Sequence, residues 1–248
     1  MRLLVATFNL RNTTDRYEER KPLLAAGFAA LAPDIIGLQE VMFVDDRQDD
    51  FLARQVPDRL YRSADARSER YPGFGNAILC AVGELQAHEE LRLSRNRVAH
   101  RALVALPEGK MLWFANTHLH HKPGEPEVRL EQAGAICEWM AEAPAADATV
   151  IAGDFNTPPF EPAYARMTGA GYRSAHREAN REEPAVTWPS GIIAETMDTE
   201  GDPNCLDYLW LGGQVRAVSA RLAFNLPAPG DATLYPSDHF AVVAEIEL

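Results

Sequence analysis

Short apolar runs rich in strand-forming residues recur along the whole 248-residue chain, and this recurrence constrains the fold more than any other feature. The runs are LLVATFN (3–9), DIIGLQE (34–40), NAILCAV (76–82), RALVAL (101–106), MLWFANTHL (111–119), ATVIAGDF (148–155), LDYLWL (206–211) and HFAVVAEIEL (239–248). Runs of this length with β-branched and aromatic residues predict buried strands. The chain is therefore expected to be built around β-sheet throughout.

Two segments between these runs have the apolar spacing of amphipathic helices, YEERKPLLAAGFAALA (17–32) and VRLEQAGAICEWMAEA (128–143). The runs between residues 76 and 119 are instead joined by short turns, which predicts antiparallel pairing. Strands separated by helices and strands joined by turns together predict mixed sheets. No compositional shift, repeat or linker divides the chain, so residues 1–248 are expected to form a single α/β domain.

The net charge of the chain argues against two classes of protein. Lys and Arg total 24 and Asp and Glu total 36, which gives a formal net charge of −12. An acidic surface repels nucleic acid and anionic membranes, which argues against a general nucleic-acid coat protein and a membrane-surface protein. A nuclease with a small, metal-screened site remains compatible with this charge.

Cysteine use and the absence of long apolar stretches predict the compartment. Cys80, Cys137 and Cys205 are odd in number and show no CxxC spacing, which indicates buried free thiols in a reducing compartment. Asn9 and Arg11 interrupt the N-terminal apolar run before it reaches signal-peptide length. A membrane span needs about 18 consecutive apolar residues, and no stretch of the sequence approaches that length. We therefore expect a cytoplasmic protein with no membrane partner, and nothing in the sequence indicates an obligate protein partner.

Polar side chains capable of binding a metal stand at the ends of six of the apolar runs. They are Asn9, Glu40, His118, Asp154, Asp207 and the pair Asp238 and His239. Sites in open α/β sheets assemble where strand ends meet on one rim. Each residue alone also has a structural explanation, such as a solvated strand end for Glu40, a turn for Asp154 or a satisfied core position for His118.

Taken in order, the motifs LQE (38–40), NTHL (116–119), GDFN (153–156), DYL (207–209) and SDH (237–239) resemble the endonuclease/exonuclease/phosphatase superfamily. That group includes pancreatic-type deoxyribonucleases, exonuclease-III-like repair enzymes, sphingomyelinases, inositol polyphosphate phosphatases and deadenylases. The resemblance extends from Asn9 to His239. It implies a metal-dependent phosphoric ester hydrolase with a four-layer α/β sandwich: two mixed β-sheets packed face to face, helices outside, and the site at one end.

The resemblance implies that Asn9, Glu40 and Asp238 hold a divalent metal, with Glu40 as the principal carboxylate. Independently of the family, phosphoester hydrolysis places negative charge on phosphoryl oxygens, which a hard cation stabilises. Mg²⁺ prefers a few protein oxygen ligands together with several waters. Mg²⁺ is therefore the expected cofactor, with Mn²⁺ able to substitute.

The remaining family positions would face the water and the phosphate. Asp154 would orient or deprotonate the attacking water, and Asn156 would hydrogen-bond the water or the phosphate. His239, held by Asp207, would contact the scissile phosphate or act as base, because a neighbouring carboxylate fixes the tautomer and stabilises the cation. His118 resembles the histidine that some branches place on the far side of the phosphate, where it donates a hydrogen bond or protonates the leaving oxygen.

Other positions depart from the family pattern or match it loosely. Arg11 stands where exonuclease-III-like members have an acidic metal neighbour, which argues against a second metal and against that type of repair enzyme. Arg11 and Asn76 are taken as candidate substrate-binding residues, Asn76 because Gly75-Asn76 resembles the start of a family strand near the site. His120 and His121 lack zinc-binding spacing and are expected to be surface histidines.

An arginine-rich stretch between residues 54 and 101 holds nine arginines and six acidic residues. Arg95 and Arg97 would share one face of an extended segment, and paired arginines can bind phosphate. Arginines outnumber lysines 21 to 3 in the whole chain, however, which indicates a compositional bias. The stretch is therefore interpreted as a solvated surface.

The favoured function is a Mg²⁺-dependent phosphodiesterase of the nuclease type, in which a metal-stabilised water attacks phosphorus. The alternative is a phosphomonoesterase of a phosphorylated small molecule or lipid headgroup, and a remote alternative is a catalytically dead binding module. The presence of Glu40, Asp154 and His239 argues against the dead module. The expected substrates are phosphodiesters or phosphorylated small molecules, including short nucleic acid, because an acidic chain disfavours tight binding of duplex DNA.

Overall fold

A computed structural model describes residues 1–197 and 200–248, and within them the chain forms twelve strands and five α-helices. In chain order the strands are β1 (Arg2–Asn9), β2 (Ile35–Met42), β3 (Arg62–Arg67), β4 (Phe74–Cys80), β5 (Glu84–Leu93), β6 (Arg97–Ala105), β7 (Met111–His118), β8 (Ala148–Asp154), β9 (Arg173–Ser174), β10 (Asp207–Gly213), β11 (Arg216–Ala223) and β12 (Ala241–Glu247). The helices are α1 (Tyr17–Leu31), α2 (Gln48–Ala53), α3 (Pro126–Ala141), α4 (Pro162–Gly169) and α5 (Ala175–Asn180).

The strands form two six-stranded sheets with the orders β11-β12-β1-β2-β4-β3 and β5-β6-β7-β8-β10-β9. Each sheet is mixed: β1 and β2 are parallel in the first, β7 and β8 are parallel in the second, and all other neighbours are antiparallel. The two parallel pairs are joined by α1 and α3, since a parallel connection needs a crossover. These are the two helices that the sequence predicts.

Three apolar layers hold the molecule together. The central layer joins the inner faces of the two sheets, with Val5 and Phe114 among its residues. A second layer packs α3 and α4 on one sheet, and a third packs α1 on the other. Helix, sheet, sheet and helix therefore lie in succession, and the predicted four-layer α/β sandwich is confirmed.

The pleat of the strands decides which end residues enter the space between the sheets. Side chains alternate between faces, so a residue shares its face with residues two and four positions away. Asp154 follows Val150 and Ala152 on β8, and both of these lie in the central layer. The same alternation directs Asn9, His118 and Asp207 inward from β1, β7 and β10, and the four side chains converge at one end of the sandwich.

A buried polar bridge ties the two sheets together just below this end. Asn116 of β7 donates through Nδ2 to the carbonyl oxygens of Leu38 and Ala77 at 2.9 Å, and its Oδ1 accepts from Gln39 Nε2 at 2.6 Å. Gly37 leaves room for this bridge, because a Cβ there would lie 2.8 Å from Asn116 Oδ1. The bridge fixes the spacing of β2 and β7 next to Glu40 and His118.

Two further features bear on the sequence expectations. Cys80, Cys137 and Cys205 are all buried free thiols, as expected. Among the helices of the described residues, none has both the length and the apolar character needed to cross a membrane.

Candidate active site

A β-bulge brings Glu40 to the site. Along β2, Ile36 and Leu38 point outward to the helix layer, and regular alternation would send Glu40 the same way. The pairing of β2 with β4 instead shifts between Leu38 and Val41, and Glu40 adopts a left-handed backbone with φ 55°. Bulges commonly redirect side chains beside active sites. The Glu40 carboxylate consequently accepts hydrogen bonds from Asn9 Nδ2 at 3.4 Å and Asn12 Nδ2 at 2.7 Å.

Asp154 uses its two carboxylate oxygens for different purposes. Oδ1 accepts the backbone N–H of Asn156 at 2.9 Å, and Asn156 takes a left-handed φ of 47°. This is the Asx turn that the sequence also allowed. Oδ2 faces the site, where Asn9 Nδ2 donates to it at 2.9 Å. The turn therefore holds the carboxylate in place and leaves one oxygen for chemistry.

Asp207 and His239 form a buried pair. His239 Nδ1 lies 2.9 Å from Asp207 Oδ2, and the same oxygen accepts the hydroxyl of Thr187 at 2.6 Å. The backbone N–H of His239 also donates to Ser237 Oγ at 3.3 Å. These contacts fix the imidazole so that Nε2 points toward Asp154.

Two imidazoles approach one oxygen of Asp154. His239 Nε2 is 3.6 Å and His118 Nε2 is 3.5 Å from Asp154 Oδ2. In the pairing of β7 with β8, His118 lies directly opposite Asp154. In the pairing of β10 with β8, Asp207 lies opposite Asp154 on its other side. The ligand atoms of Asp154, Asp207 and His239 all lie within 4.8 Å of one another.

Burial and neighbouring charges give the two histidines opposite protonation preferences. Burial would lower the pKa of His239, but the carboxylates of Asp207, Asp154 and Asp238 outweigh it and raise that pKa. Burial lowers the pKa of His118 well below its usual range, and the charge of Arg97 acts in the same direction. The surroundings therefore favour the cationic form of His239 and the neutral form of His118. Burial also raises the pKa of Asp154, which His239 partly opposes.

Glu40 and Asp238 are two further carboxylates that line the cleft. Both face Arg11, whose Nε lies 3.6 Å from Asp238 Oδ2 and 2.7 Å from Asp15 Oδ2. The charges of Asp238 and Glu40 outweigh burial and raise the pKa of Arg11. Asn9 and Asn12 amides hold the Glu40 carboxylate, and the Ser237 hydroxyl donates to Asp238 Oδ1 at 3.2 Å. Carboxylate oxygens of this kind could bind Mg²⁺, which prefers oxygen ligands. Asn9 differs from Glu40 and Asp238, because its Oδ1 already accepts the backbone N–H of Arg11 at 2.9 Å. Its Nδ2 donates to the carboxylates of Glu40 and Asp154.

These residues lie at the end of a cleft of about 760 Å³. Arg11, Glu40, His118, Asp154, Asn156, Asp238 and His239 line it. Asn76 is not brought to the cleft: it is 4% exposed, and its Nδ2 donates to the carbonyl of Val98 at 3.0 Å. The expectation of two surface histidines is wrong for His120, which is buried, because Gln132 Oε1 accepts its backbone N–H and holds it under the cleft rim.

Several residues at the site were not found from the sequence. Asn12 and Thr187 orient Glu40 and Asp207, and both stand in irregular segments without any motif. Arg20 is fully buried and donates to the carbonyl oxygens of five loop residues before it and of Pro236, so it organises two loops beside the site. Their roles depend on contacts between distant parts of the chain, which single-sequence patterns do not contain.

A family model described as the Endonuclease/Exonuclease/phosphatase family matches residues 6–239. Among curated proteins, the chain is 29% identical to nocturnin from Xenopus laevis, over 93% of this chain and 64% of that protein. It is 26% identical to human nocturnin, over 93% of this chain and 58% of that protein. The chain thus spans about 60% of the length of these relatives.

Solved structures share the fold. The human nocturnin catalytic domain with bound sulfate aligns with a TM-score of 0.78 at 23% identity, over 99% of this chain and 94% of that one. TDP2 from D. rerio complexed with a single-strand DNA product aligns with a TM-score of 0.79 at 17% identity, over 100% of this chain and 99% of that one. At this level of identity the likeness concerns the architecture of two sheets and their helices.

Proposed function

The chain belongs to the endonuclease/exonuclease/phosphatase family of phosphoester hydrolases, and from this membership we propose that it is a Mg²⁺-dependent phosphodiesterase. The observation that carries the proposal is the convergence of the His118 and His239 imidazoles on one oxygen of Asp154, in the cleft that Glu40 also lines. Their pKa values are shifted in opposite directions, that of His118 down and that of His239 up. A buried carboxylate between a cation and a neutral donor is suited to moving a proton. Phosphoester hydrolysis needs such a group to accept a proton from the attacking water.

We assign the attacking water to Asp154. Its Oδ2 faces the site and accepts a hydrogen bond from Asn9 Nδ2 at 2.9 Å, while the Asx turn holds the other oxygen. We propose that Oδ2 also accepts the water proton as the oxygen–phosphorus bond forms. The bond from phosphorus to the leaving oxygen breaks, and its electron pair leaves with that oxygen. Burial raises the pKa of Asp154, which makes its carboxylate a better proton acceptor than an exposed one. Asn156, at the same turn, lines the cleft and donates through Nδ2 to the Leu119 carbonyl at 3.2 Å, and we propose that its amide hydrogen-bonds the phosphoryl group.

His239 and His118 are assigned to the phosphoryl oxygens. His239 donates from Nε2 as a cation, because Asp207 holds the opposite ring nitrogen at 2.9 Å. A charge-assisted hydrogen bond of this kind strengthens as negative charge develops in the transition state. Neutral His118 donates a hydrogen bond without adding charge. Asp207 thereby acts through His239 and is a positioning residue.

Glu40 and Asp238 are proposed to hold the metal, and Asn9 is proposed to orient Glu40 and Asp154 through its amide nitrogen. Mg²⁺ would supply electrostatic stabilisation of the phosphoryl oxygens when bound. Arg11 already balances charge between Asp238 and Glu40, which favours one metal over two. Asp15 orients Arg11 in turn.

A diester is favoured over a monoester by the charge of the site. Three carboxylates, those of Glu40, Asp154 and Asp238, line the cleft, and that of Asp207 lies behind His239. Repulsion scales with substrate charge, so a dianionic monoester is repelled more than a monoanionic diester. Short single-stranded nucleic acid is the polymeric substrate we propose, in keeping with the single-strand DNA product in the D. rerio TDP2 structure.

Two chromogenic substrates test this function. With Mg²⁺ present, kcat/KM for bis(p-nitrophenyl) phosphate is expected to exceed that for p-nitrophenyl phosphate. The reverse preference would identify a phosphomonoesterase. If the protein hydrolyses neither chromogenic substrate and does not hydrolyse short oligonucleotides, a binding module without catalysis is favoured.

We also propose that residues 1–248 form one domain in the cytoplasm. The first strand, β1, pairs with the last, β12, and the site draws residues from both sheets, so neither half completes it. Three buried free thiols suit a reducing compartment. A single cooperative unfolding transition and cytosolic fractionation are the expected results.

A further inference from the structure

The arginines that line the cleft differ in how their charges are compensated. Arg11, Arg95 and Arg129 are ion-paired with Asp15, Glu125 and Glu161 at 2.7, 2.9 and 2.8 Å. Arg70 is exposed at the rim. Arg97 is partly buried, and within residues 1–197 and 200–248 no carboxylate lies at ion-pair distance from it. Its hydrogen-bond contact is with His121, whose Nδ1 lies 3.0 Å from Arg97 Nη2.

Arg97 faces the same space as the residues assigned to the reaction. It is the first residue of β6, directly after Arg95 and Asn96, which both have φ 57° and so turn the chain sharply at the cleft wall. The negative charges of Glu40 and Asp154 act on its guanidinium, and its own positive charge acts on His118. Arg97 therefore adds a positive charge to the part of the cleft that already holds Arg11 and His239.

A partly buried guanidinium that has no carboxylate at ion-pair distance among the described residues opposes folding. Burial lowers the pKa of Arg97, although a guanidinium remains protonated at any physiological pH. Arg95, two residues earlier, is exposed and still forms an ion pair with Glu125 at 2.9 Å. Groups that oppose folding without a partner in the fold are characteristic of sites whose partner is a ligand.

We propose that Arg97 binds the phosphoryl group of the substrate, as a residue that contacts substrate from the wall formed by β6. This proposal rests on the proposed phosphoester hydrolysis and adds an anion contact that the family motifs in this sequence do not include. A guanidinium offers two parallel N–H donors to phosphoryl oxygens. The contact of Arg97 Nη2 with His121 Nδ1 orients this guanidinium. The structure thus separates Arg97 from Arg95, which the sequence had grouped in one solvated cluster.

Binding of inorganic phosphate tests the contact without relying on turnover. Titration calorimetry with Mg²⁺ present compares the wild-type protein with Arg97→Met, Arg97→Lys and Arg95→Met. Arg97→Met is expected to weaken phosphate binding about tenfold or more, the size of one lost charge-assisted hydrogen bond. Arg97→Lys keeps the charge but not the paired donors, so it should restore part of the affinity. Arg95→Met removes the same charge from a residue held by Glu125 and should change binding little.

Thermal unfolding separates a ligand contact from a structural one. Without phosphate, the Tm of Arg97→Met should equal or exceed that of the wild type, because an unpaired charge is removed. A lower Tm together with unchanged phosphate affinity would overturn the proposal and make Arg97 a structural residue. If Arg97→Met does not fold, unchanged phosphate affinity in Arg97→Lys would overturn the paired-donor contact.

The outcomes also distinguish this proposal from the function on which it rests. A wild-type protein that hydrolyses the diester, with phosphate affinity unchanged in Arg97→Met, overturns only the role of Arg97. A wild-type protein that neither hydrolyses phosphoesters nor binds phosphate overturns both. Equal losses in Arg97→Met and Arg95→Met would show a general charge effect and would also overturn the specific contact.

Discussion

Among single residues, the proposed reaction depends most on Asp154, because one of its oxygens accepts the N–H of the turn and the other faces the site. Asp154→Asn is expected to lower kcat by about 10² to 10⁴, since an amide cannot accept the proton of the water. Its Tm should stay unchanged or rise, because burial disfavours the ionised carboxylate. Steady-state kinetics and a thermal melt of the purified variant measure both effects.

A matched control lies on the same strand. Asp147 precedes β8 at its opposite end and accepts the Met111 N–H at 2.8 Å, far from the cleft residues. Asp147→Asn should leave kcat unchanged. Near-normal kcat in Asp154→Asn, or its unfolding, would show that Asp154 is a turn residue and no more.

The contact of His239 with Asp207 predicts how kcat/KM depends on pH. The carboxylates raise the pKa of His239 against the effect of burial, so the imidazole stays protonated at neutral pH and loses its proton as pH rises through that raised pKa. If the cation contacts phosphate, kcat/KM falls on the alkaline side. Asp207→Asn removes the nearest carboxylate and should move this alkaline limb to lower pH. An alkaline limb that stays in place in Asp207→Asn would contradict the assigned role.

At the scale of elements, strand identity was largely readable from the sequence, and the exceptions share one cause. All eight apolar runs contain strands, whereas β3, β5, β9 and β11 were not predicted. These four strands are the four edges of the two sheets. An edge strand is exposed along one side and carries charged residues that discourage pairing with other molecules. Its sequence therefore lacks the apolar run that marks a central strand, as in ELQAHEELRL of β5.

The site was predictable only where residues belong to strand ends. Asp154 and His118 follow from alternation along central strands. The direction of Glu40 depends on a bulge in the pairing of β2 with β4. Arg97 differs from Arg95 in its greater burial and in lacking an ion pair like that of Arg95 with Glu125 among the described residues. Both features arise from contacts across the fold, which a single sequence does not encode locally.

The bridge between the sheets gives a prediction about β2. Gly37→Ala would place a Cβ 2.8 Å from Asn116 Oδ1 and 3.0 Å from the Ala152 side chain. Overpacking of this kind typically costs about 1–3 kcal/mol of unfolding free energy. The shift of β2 should also weaken activity, because Gln39 and Glu40 move with it. Gly169→Ala, where nothing lies within 4 Å of the new Cβ, is the control and should be neutral in chemical denaturation.

At the scale of the whole molecule, the net charge of −12 predicts how polymeric substrates bind. Affinity should depend on the metal and a few local groups such as His239 and Arg97, and not on a long row of phosphate contacts. Counterion release contributes about 0.9 to the log–log salt slope for each phosphate contact on B-DNA. We expect a shallow slope of kcat/KM against salt, and little gain for long duplex DNA over short pieces of the same sequence. A steep slope with strong preference for the long duplex would show that the arginine-rich stretch 54–101 binds DNA along its length.

If the assembled residues form a metal-dependent phosphoesterase, hydrolysis must depend on divalent metal. Hydrolysis of bis(p-nitrophenyl) phosphate is therefore measured before and after removal of divalent metal by a chelator, with Mg²⁺ then added back. Turnover is expected to be lost on chelation and restored by Mg²⁺ or Mn²⁺ in the wild type, but not restored in Asp154→Asn, which excludes a contaminating hydrolase. Full turnover in excess chelator, or purification of the protein with tightly bound zinc, would contradict it.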